Sequence, residues 1–277
     1  MPHQLFISDG VGSVELMETF GDDLTVVNAA RVSFAKESKE MCTADEKLIN
    51  YLAKHHHITP FFHPQIRLRI KMPIFVAREW FRHQIGLARN EVSRRYVDFE
   101  PECWLPTDGL RARDPKLKQG SRPENIQNND EVFAQIENYT KDTITFYKKL
   151  LADGVAPELA RTVLPQSMYT EFIETGSLAA YARICGLRLD PTAQKEIRDY
   201  AAIVSRLLEE AFPVSWKALS HDHAPVPEPT SVPMSVTAEQ HILNTIQTPP
   251  PNPEPVKVLN GVDLKLKNEG PIEHWGC

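Results

Sequence analysis

One strand pattern constrains the fold of this chain more than any other feature. Residues 65–72 read Gln-Ile-Arg-Leu-Arg-Ile-Lys-Met, with an apolar side chain at every second position and a polar or basic one between. This period of two predicts a strand with one face in the core and the other in solvent. Pro73 follows and suits the first turn of a helix, so we expect a helix from there to about Gln84.

Other strands and helices are mixed along the chain without the regular rhythm of a doubly wound sheet. A helix that carries Phe34 should be capped by Asp22 or Asp23, and a capping box at 43–46 should open the next helix. The remaining expectations are strands at 14–20 and 167–174, a loop at 106–129, and helices at 130–152, 157–163, 178–187 and 191–211. The pattern therefore predicts an α+β fold of mixed helices with a small antiparallel-type sheet.

Composition divides the chain into two parts. Residues 221–277 hold ten of the 22 prolines, and such a composition is typical of an extended or disordered segment. We therefore expect one domain over 1–220 and a proline-rich C-terminal extension over 221–277.

Several classes of protein are disfavoured by the same composition. No apolar run approaches the roughly 20 residues that span a bilayer, and the N-terminus lacks the regions of a secretory signal. The four cysteines form no C-x-x-C pair, and the three consecutive histidines at 55–57 lack fixed ligand spacing. We expect a cytoplasmic protein with no membrane association and no metal site.

Positive charge is concentrated in residues 67–95. This stretch has eight Arg or Lys residues against only Glu79 and Glu91, in a chain whose formal net charge is −6. Most of these residues are arginine, which suits bidentate recognition of phosphate or carboxylate. An anionic small molecule is the expected ligand. Nucleic acid is an alternative on charge alone, but the basic cluster is short and no nucleic-acid partner is expected.

Residues 90–96 add an unusual set of polar groups. They read Asn-Glu-Val-Ser-Arg-Arg-Tyr, which combines an amide, a carboxylate, a hydroxyl and two guanidinium groups. A pocket that binds a sugar, a phosphate and a heterocycle needs such a set. In the helix expected before this segment, Arg78 and Arg82 would lie on one face and could clamp an anion; the alternative for that helix is a solvated face with an Arg–Glu pair.

The same segment resembles the signature of the flavin-dependent thymidylate synthases. Residues 78–84 read Arg-Glu-Trp-Phe-Arg-His-Gln, and residues 93–96 read Ser-Arg-Arg-Tyr. The family pattern is Arg-His-Arg, seven residues and then Ser. Here Gln84 stands in place of the third basic residue, and one more residue precedes Ser93.

Four further stretches resemble elements of the same family in the same order. Residues 30–34 read Ala-Arg-Val-Ser-Phe, and residues 57–63 read His-Ile-Thr-Pro-Phe-Phe-His. Residues 158–165 contain Ala-Arg-Thr-Val-Leu-Pro, and residues 187–194 read Leu-Arg-Leu-Asp-Pro-Thr-Ala-Gln. The resemblance covers residues 26–220 and leaves the extension outside.

Membership of this family implies an enzyme that methylates dUMP to dTMP. Methylenetetrahydrofolate supplies the carbon, and NADPH supplies the reducing equivalents through FAD. Family members are homotetramers with FAD sites between subunits. The alternative is a flavin- or nucleotide-binding relative that does not methylate.

The resemblance also assigns candidate site residues. Arg188 is the catalytic candidate, because a guanidinium at the uracil ring stabilises the negative charge that spreads over N3 and the carbonyl oxygens. Arg89 is a candidate to replace the charge missing at Gln84. The residues implied for FAD are Ser33, His57, Thr59, Arg82, His83, Gln84, Glu91, Ser177 and Arg183. The residues implied for dUMP are Arg78, Glu79, Glu91, Val92, Ser93, Arg94, Arg95, Arg161 and Arg188.

Overall fold

The computed structural model describes residues 3–97, 99–116 and 120–226, so most of the expected extension lies outside the described residues. The strands are β1 His3–Phe6, β2 Ser13–Phe20, β3 Gln65–Pro73, β4 Leu87–Glu91, β5 Arg111–Arg113, β6 Ser121–Asn125 and β7 Tyr169–Ser177. The α-helices are α1 Asp23–Arg31, α2 Thr43–Lys54, α3 Ile74–Trp80, α4 Asn129–Ala152, α5 Pro157–Ala160, α6 Leu178–Arg188, α7 Lys195–Ala211 and α8 Pro213–Leu219. Short 3-10 helices cover Val32–Phe34, Thr59–Phe62 and Arg161–Val163.

Five of these strands form one sheet in the order β1-β2-β3-β7-β4, and every neighbouring pair is antiparallel. The strand predicted at 65–72 is β3, at the centre of this sheet. Its apolar side chains are buried and its basic ones lie on the opposite face, as the alternation requires. The α+β class is confirmed.

Helices α3, α6 and α7 pack against the sheet. α7 packs against α6, α8 and β2, and its buried stripe joins the apolar face of β3 in a single core. The largest fully buried side chains include Trp80, Tyr200 and Trp216. None of the described helices is long and apolar enough to cross a membrane.

The structure corrects the length of the helix after β3. α3 ends at Trp80 instead of Gln84, and the chain turns through hydrogen bonds from Arg82 N to Glu79 O and from His83 N to Trp80 O. Leu87 then starts β4 against β7. A helix continued to Gln84 would leave the backbone groups of this edge of β7 unpaired, and β4 satisfies them.

Three other expectations need smaller corrections. The stretch 106–129 contains the β5–β6 hairpin, whose strand β6 is exposed throughout and so shows no apolar alternation. α7 starts at Lys195 because Asp190 Oδ1 accepts from Thr192 N and holds the preceding residues in a turn. The strand expected at 167–174 is β7, which begins and ends slightly later in the chain.

Helix capping follows the sequence in one case and departs from it in the other. Asp22 caps α1 and accepts from Thr25 N at 2.9 Å. α2 is capped by Cys42 rather than by Thr43, with Asp45 as the reciprocal partner. Asp45 is fully buried and paired with Arg31, so this cap is fixed by tertiary contact.

The start of the expected extension contacts the core. The rings of His223 and Trp216 are 6.3 Å apart, and Ala224 and Val226 pack against the hydrophobic core. Residues 221–226 therefore lie on the domain.

Candidate active site

A compact polar cluster forms at the C-terminal end of α6, and we call it the Arg188 cluster. Arg188 Nε donates to His83 Nε2 at 3.0 Å, and Arg188 Nη2 donates to the backbone oxygen of Glu79 at 3.2 Å. Arg188 Nη1 lies 3.5 Å from Glu79 Oε2. Three predicted site residues from α3, the following turn and α6 thus come together.

His83 is neutral in this cluster. Its side chain is buried, and burial together with the positive charges of Arg188, Arg183 and Arg89 lowers the pKa of His83 to about 4. Because Nε2 accepts from Arg188, the ring proton belongs on Nδ1, a tautomer assigned from the donor. His83 therefore orients Arg188 without adding positive charge beside it.

Glu79 lies beside Arg188 in this cluster. Its carboxylate pairs with Arg188, and both side chains are partly exposed. The carboxylate offsets part of the charge of Arg188. In this chain the Glu79 carboxylate contacts the Arg188 guanidinium, and Glu79 does not line the groove described below.

The turn after α3 presents two of the predicted FAD residues to solvent. Arg82 and Gln84 are exposed, whereas the residues behind them hold the turn in place. Arg183 Nη2 donates to the backbone oxygen of Ile85 at 2.8 Å. The buried hydroxyl of Ser177 accepts from Ala180 N at 3.2 Å and caps α6. Ser177 thus supports the helix.

The turn after α3 passes through Gly86 before β4 begins. Gly86 adopts a φ of +78°, and a Cβ there would lie 3.3 Å from both Ala180 Cβ and Ser177 Oγ. Only glycine combines the left-handed conformation with this close approach at low cost.

A second exposed group comes from the N-terminal part of the domain. Ser33 lies in the 3-10 helix after α1, His57 lies between α2 and the 3-10 helix Thr59–Phe62, and Thr59 is the first residue of that helix. All three side chains are exposed, and the Thr59–Phe62 helix packs against α1. Val32 and Phe34 are exposed beside Ser33. Among the described residues, no group of three or more His, Cys, Asp or Glu side chains is placed to hold a metal ion.

The other half of the basic segment lines a groove of about 480 Å³, which we call the Ser93 groove. It combines polar side chains with an apolar floor that includes Ile74, Leu164 and Met168. Five of the residues predicted for dUMP line it: Glu91, Val92, Ser93, Arg94 and Arg161.

The polar side chains of the Ser93 groove are held differently from one another. Glu91 Oε1 accepts from Thr170 Oγ1 at 2.6 Å. Arg94 is buried. Its guanidinium donates to the backbone oxygen of Phe99 and lies 4.2 Å from the centre of the Phe99 ring. Arg161 is exposed, and its guanidinium has no ion-pair or hydrogen-bond partner within the described part of the chain. Arg161 is therefore available to an anion.

Four predicted dUMP residues lie outside this groove in the single chain. Arg188 and Glu79 belong to the Arg188 cluster, and Arg78 is exposed on α3. Arg95 Nε lies 3.5 Å from Glu158 Oε2, with its guanidinium over the ring of Tyr96. The structure thus divides the predicted nucleotide site into two parts.

Sequence reasoning missed a buried ion pair between these parts. Arg89 pairs with Glu174, a carboxylate with no exposed surface on β7. The proposed role of Arg89 as a substitute for the charge missing at Gln84 is therefore wrong, because its guanidinium is directed into the core. The sequence signal for this pair was Glu174 itself, a glutamate at an inward-facing position of a strand with an alternating pattern.

Comparison with known proteins gives a consistent result. The model of the family described as "Thymidylate synthase complementing protein" matches residues 15–214. The flavin-dependent thymidylate synthase of Thermosipho melanesiensis is 40% identical over 208 residues, which are 75% of this chain and 90% of the relative. The enzyme of the same name from Thermus thermophilus is 38% identical over 207 residues, 75% of each chain.

A solved structure has the same fold. It is a UMP/dUMP methylase, PolB from Streptomyces cacaoi, bound with 5-Br dUMP, and its TM-score is 0.69 at 28% sequence identity. The match covers 77% of this chain and 96% of that chain.

Proposed function

This chain is an enzyme of the flavin-dependent thymidylate synthase family, and on that premise we propose that it methylates dUMP to dTMP. One observation carries the proposal: five residues predicted for dUMP line one groove, and the arginine at its edge is unpaired among the described residues.

The Ser93 groove suits a nucleoside monophosphate in size and chemistry. Its volume of about 480 Å³ falls in the range of small-molecule sites. Arg161 would bind the phosphate, since a guanidinium forms two parallel charged hydrogen bonds with it. The hydroxyl of Ser93 lies within the groove and accepts from Arg95 N at 3.3 Å, which indicates positioning instead of nucleophilic attack.

Arg188 is the residue we assign to the chemical step. Attack by C5 of uracil is favoured when negative charge spreads over N3 and the carbonyl oxygens, because that charge raises the electron density at C5. A guanidinium already held by His83 and Glu79 would stabilise that charge without reorganising during the reaction. Because His83 is neutral, it places no second positive charge beside Arg188.

Two groups of exposed donors are proposed to bind a flavin dinucleotide. Arg82 and Gln84, in the turn after α3, offer donors suited to a diphosphate beside the exposed apolar side chain of Ile85, and Ser33 and Thr59 offer further donors from the N-terminal part of the domain. His57, Arg183 and Glu91 are further proposed contacts. Bound FAD would supply the hydride chemistry, while these residues bind and orient it.

The proposal includes the co-substrates and the assembly. NADPH would be the reductant and methylenetetrahydrofolate the carbon donor. A homotetramer is proposed because the family resemblance implies one and because Val32 and Phe34 are 71% and 76% exposed, and a cytoplasmic location is part of the same proposal. Residues 1–220 would be the catalytic domain of each subunit.

Tritium release from dUMP labelled at C5 tests the reaction. Purified protein should be yellow, and release should require NADPH, methylenetetrahydrofolate and FAD together. Omission of each component in turn is the control. Protein that cannot be reconstituted with FAD, or that binds dUMP without releasing tritium, would refute the proposed reaction; the second result would favour a non-methylating relative.

A further inference from the structure

A buried ion pair connects the two parts of the proposed site. Glu174 lies on β7 between Phe172 and Gly176, at a position where the strand faces the core. Its carboxylate has no exposed surface, whereas the flanking inward residue Phe172 is apolar. Placing a charge there has a high desolvation cost, and a buried pair is weak evidence for a role in stability.

Three structural elements meet at this carboxylate. Arg89 lies directly opposite Glu174 on β4, and its Nε donates to Oε2. Trp80, the last residue of α3, donates from Nε1 to Oε1 at 3.2 Å. The Arg89 guanidinium also lies 5.2 Å from the centre of the Phe81 ring. One side chain on β7 therefore holds the end of α3 and the middle of β4.

Those two held points lead directly into the two parts of the site. Trp80 is followed by the turn that carries His83, the partner of Arg188. Arg89 is followed by Glu91, which faces the Ser93 groove and accepts from Thr170. Any displacement at Glu174 would therefore change the placement of one part relative to the other.

The pair is not arranged to maximise stability. Arg89 Nη2 is buried with no hydrogen-bond partner among the described residues, a cost that an apolar pair would avoid. Burial raises the pKa of Glu174, and the adjacent Arg89 opposes that rise.

On the basis of the proposed function, we propose that Arg89 and Glu174 are positioning residues that fix the Ser93 groove relative to the Arg188 cluster. They would act on dUMP through the placement of Glu91 and His83 and would not touch the substrate. Directional hydrogen bonds can set this placement, whereas apolar packing alone tolerates small displacements.

The test compares Glu174→Gln, Arg89→Lys and the double variant Arg89→Met with Glu174→Met. The double variant removes both charges at similar volume, so its melting temperature should stay within about 5 °C of the wild type. In all three variants the dUMP dissociation constant from equilibrium dialysis should rise roughly tenfold. In turnover, the KM for dUMP should rise while kcat changes less than about threefold.

Glu18→Gln is the matched control. Glu18 and Arg67 are also a cross-strand pair in the same sheet, 2.8 Å apart, but both side chains are exposed. The control should leave dUMP binding and stability unchanged, because exposed pairs contribute little.

Hydrogen exchange separates this inference from the proposed function. The Val92 amide donates to Glu171 O, so loss of the fixed placement should accelerate exchange over 85–92 in the three variants and leave the control unchanged. Wild-type dUMP binding in the double variant, or unchanged exchange in Glu174→Gln and Arg89→Lys, would overturn the positioning role. Failure of the wild type to bind dUMP would instead refute the proposed function, and the exchange result would still decide the placement.

Discussion

The Arg188 cluster and the Ser93 groove both contain arginines, but the arginines are held in different ways. Arg188 already has His83 and Glu79 as partners. Arg161 at the groove is exposed, without a polar partner in the described ranges. Arg188 is therefore held in place before a substrate binds, whereas Arg161 would gain its ion-pair partner from the bound substrate.

This difference matches the two tasks that the proposed reaction sets. Stabilising charge that develops during reaction requires a group whose orientation costs nothing at that moment. Binding a phosphate requires a cation that is free to form its ion pair with the ligand. Arg188 fits the first task, and Arg161 fits the second.

Arg188→Ala should have the largest effect and would separate chemistry from binding. We expect kcat for dTMP formation to fall by about 10²–10³-fold, since a fixed donor to the developing charge is lost. Single-turnover kinetics at saturating dUMP measure it, with circular dichroism as the check on folding. Arg198→Ala, which removes a partly exposed arginine bonded to Pro191 O, is the control. A kcat within about threefold of wild type would remove Arg188 from the chemical step.

Arg161→Ala should change the affinity for dUMP rather than the rate of the chemical step. Loss of one charged phosphate contact corresponds to about 1.5–3 kcal/mol, so the dUMP dissociation constant should rise by about 10–100-fold. Isothermal titration with dUMP and with deoxyuridine measures this. Only dUMP binding should weaken, because deoxyuridine lacks the phosphate. Arg113→Ala removes another exposed arginine and should change neither. Equal weakening for both ligands would contradict a phosphate contact.

The neutral state of His83 predicts how acid affects stability. The unfolded chain takes up a proton on this side chain near pH 6.5, whereas the folded chain does so only near pH 4. Acidification through that window therefore favours unfolding, and the contribution present above pH 6.5 is lost by about pH 4. We expect a loss of about 1–2 kcal/mol after allowing for solvent screening.

Urea unfolding between pH 7 and 4 measures this contribution as the difference between wild type and His83→Gln. The two curves should converge as the pH falls. His221→Gln, at an exposed position, should remain parallel to the wild type. A pH-independent difference for His83→Gln would mean that the ring is not kept neutral by the cluster.

Gln84→Arg should have the smallest effect. It restores the third basic residue of the family signature at an exposed position, where an added charge contributes about 0.5–1 kcal/mol. FAD affinity from flavin fluorescence should rise less than about fivefold, and the melting temperature should not change. Gln127→Arg is the control for net charge. A rise of about a hundredfold would show that the missing charge limits FAD binding in this chain.

Local patterns in the sequence were sufficient for much of the fold. The alternation at 65–72 predicted β3, and the capping residue Asp22 predicted the start of α1. The end of α3 at Trp80 could not be read in this way, because it depends on the pairing of β4 with β7. β4 itself is short and mostly polar, so its alternation is hidden.

The candidate site shows the same division. Glu91 to Arg94, which the family signature groups, line one groove, because neighbours in a short segment remain neighbours in space. It also named Arg161, which the fold brings to the same groove. The signature did not indicate that Glu79 would pair with Arg188 or that Arg89 would point inward.

By itself, the sequence determined the α+β class, the strand with a buried face and the family to which the chain belongs. These depend on residue type, periodicity and spacing, which are local properties of the chain. The tertiary structure decided which charged or polar side chains become partners. Arg188 and His83 are 105 residues apart, and Arg89 and Glu174 are 85 apart. Sheet register and helix packing select such partners. The chain has several arginines that could pair with each carboxylate, and the fold brings one of them within reach.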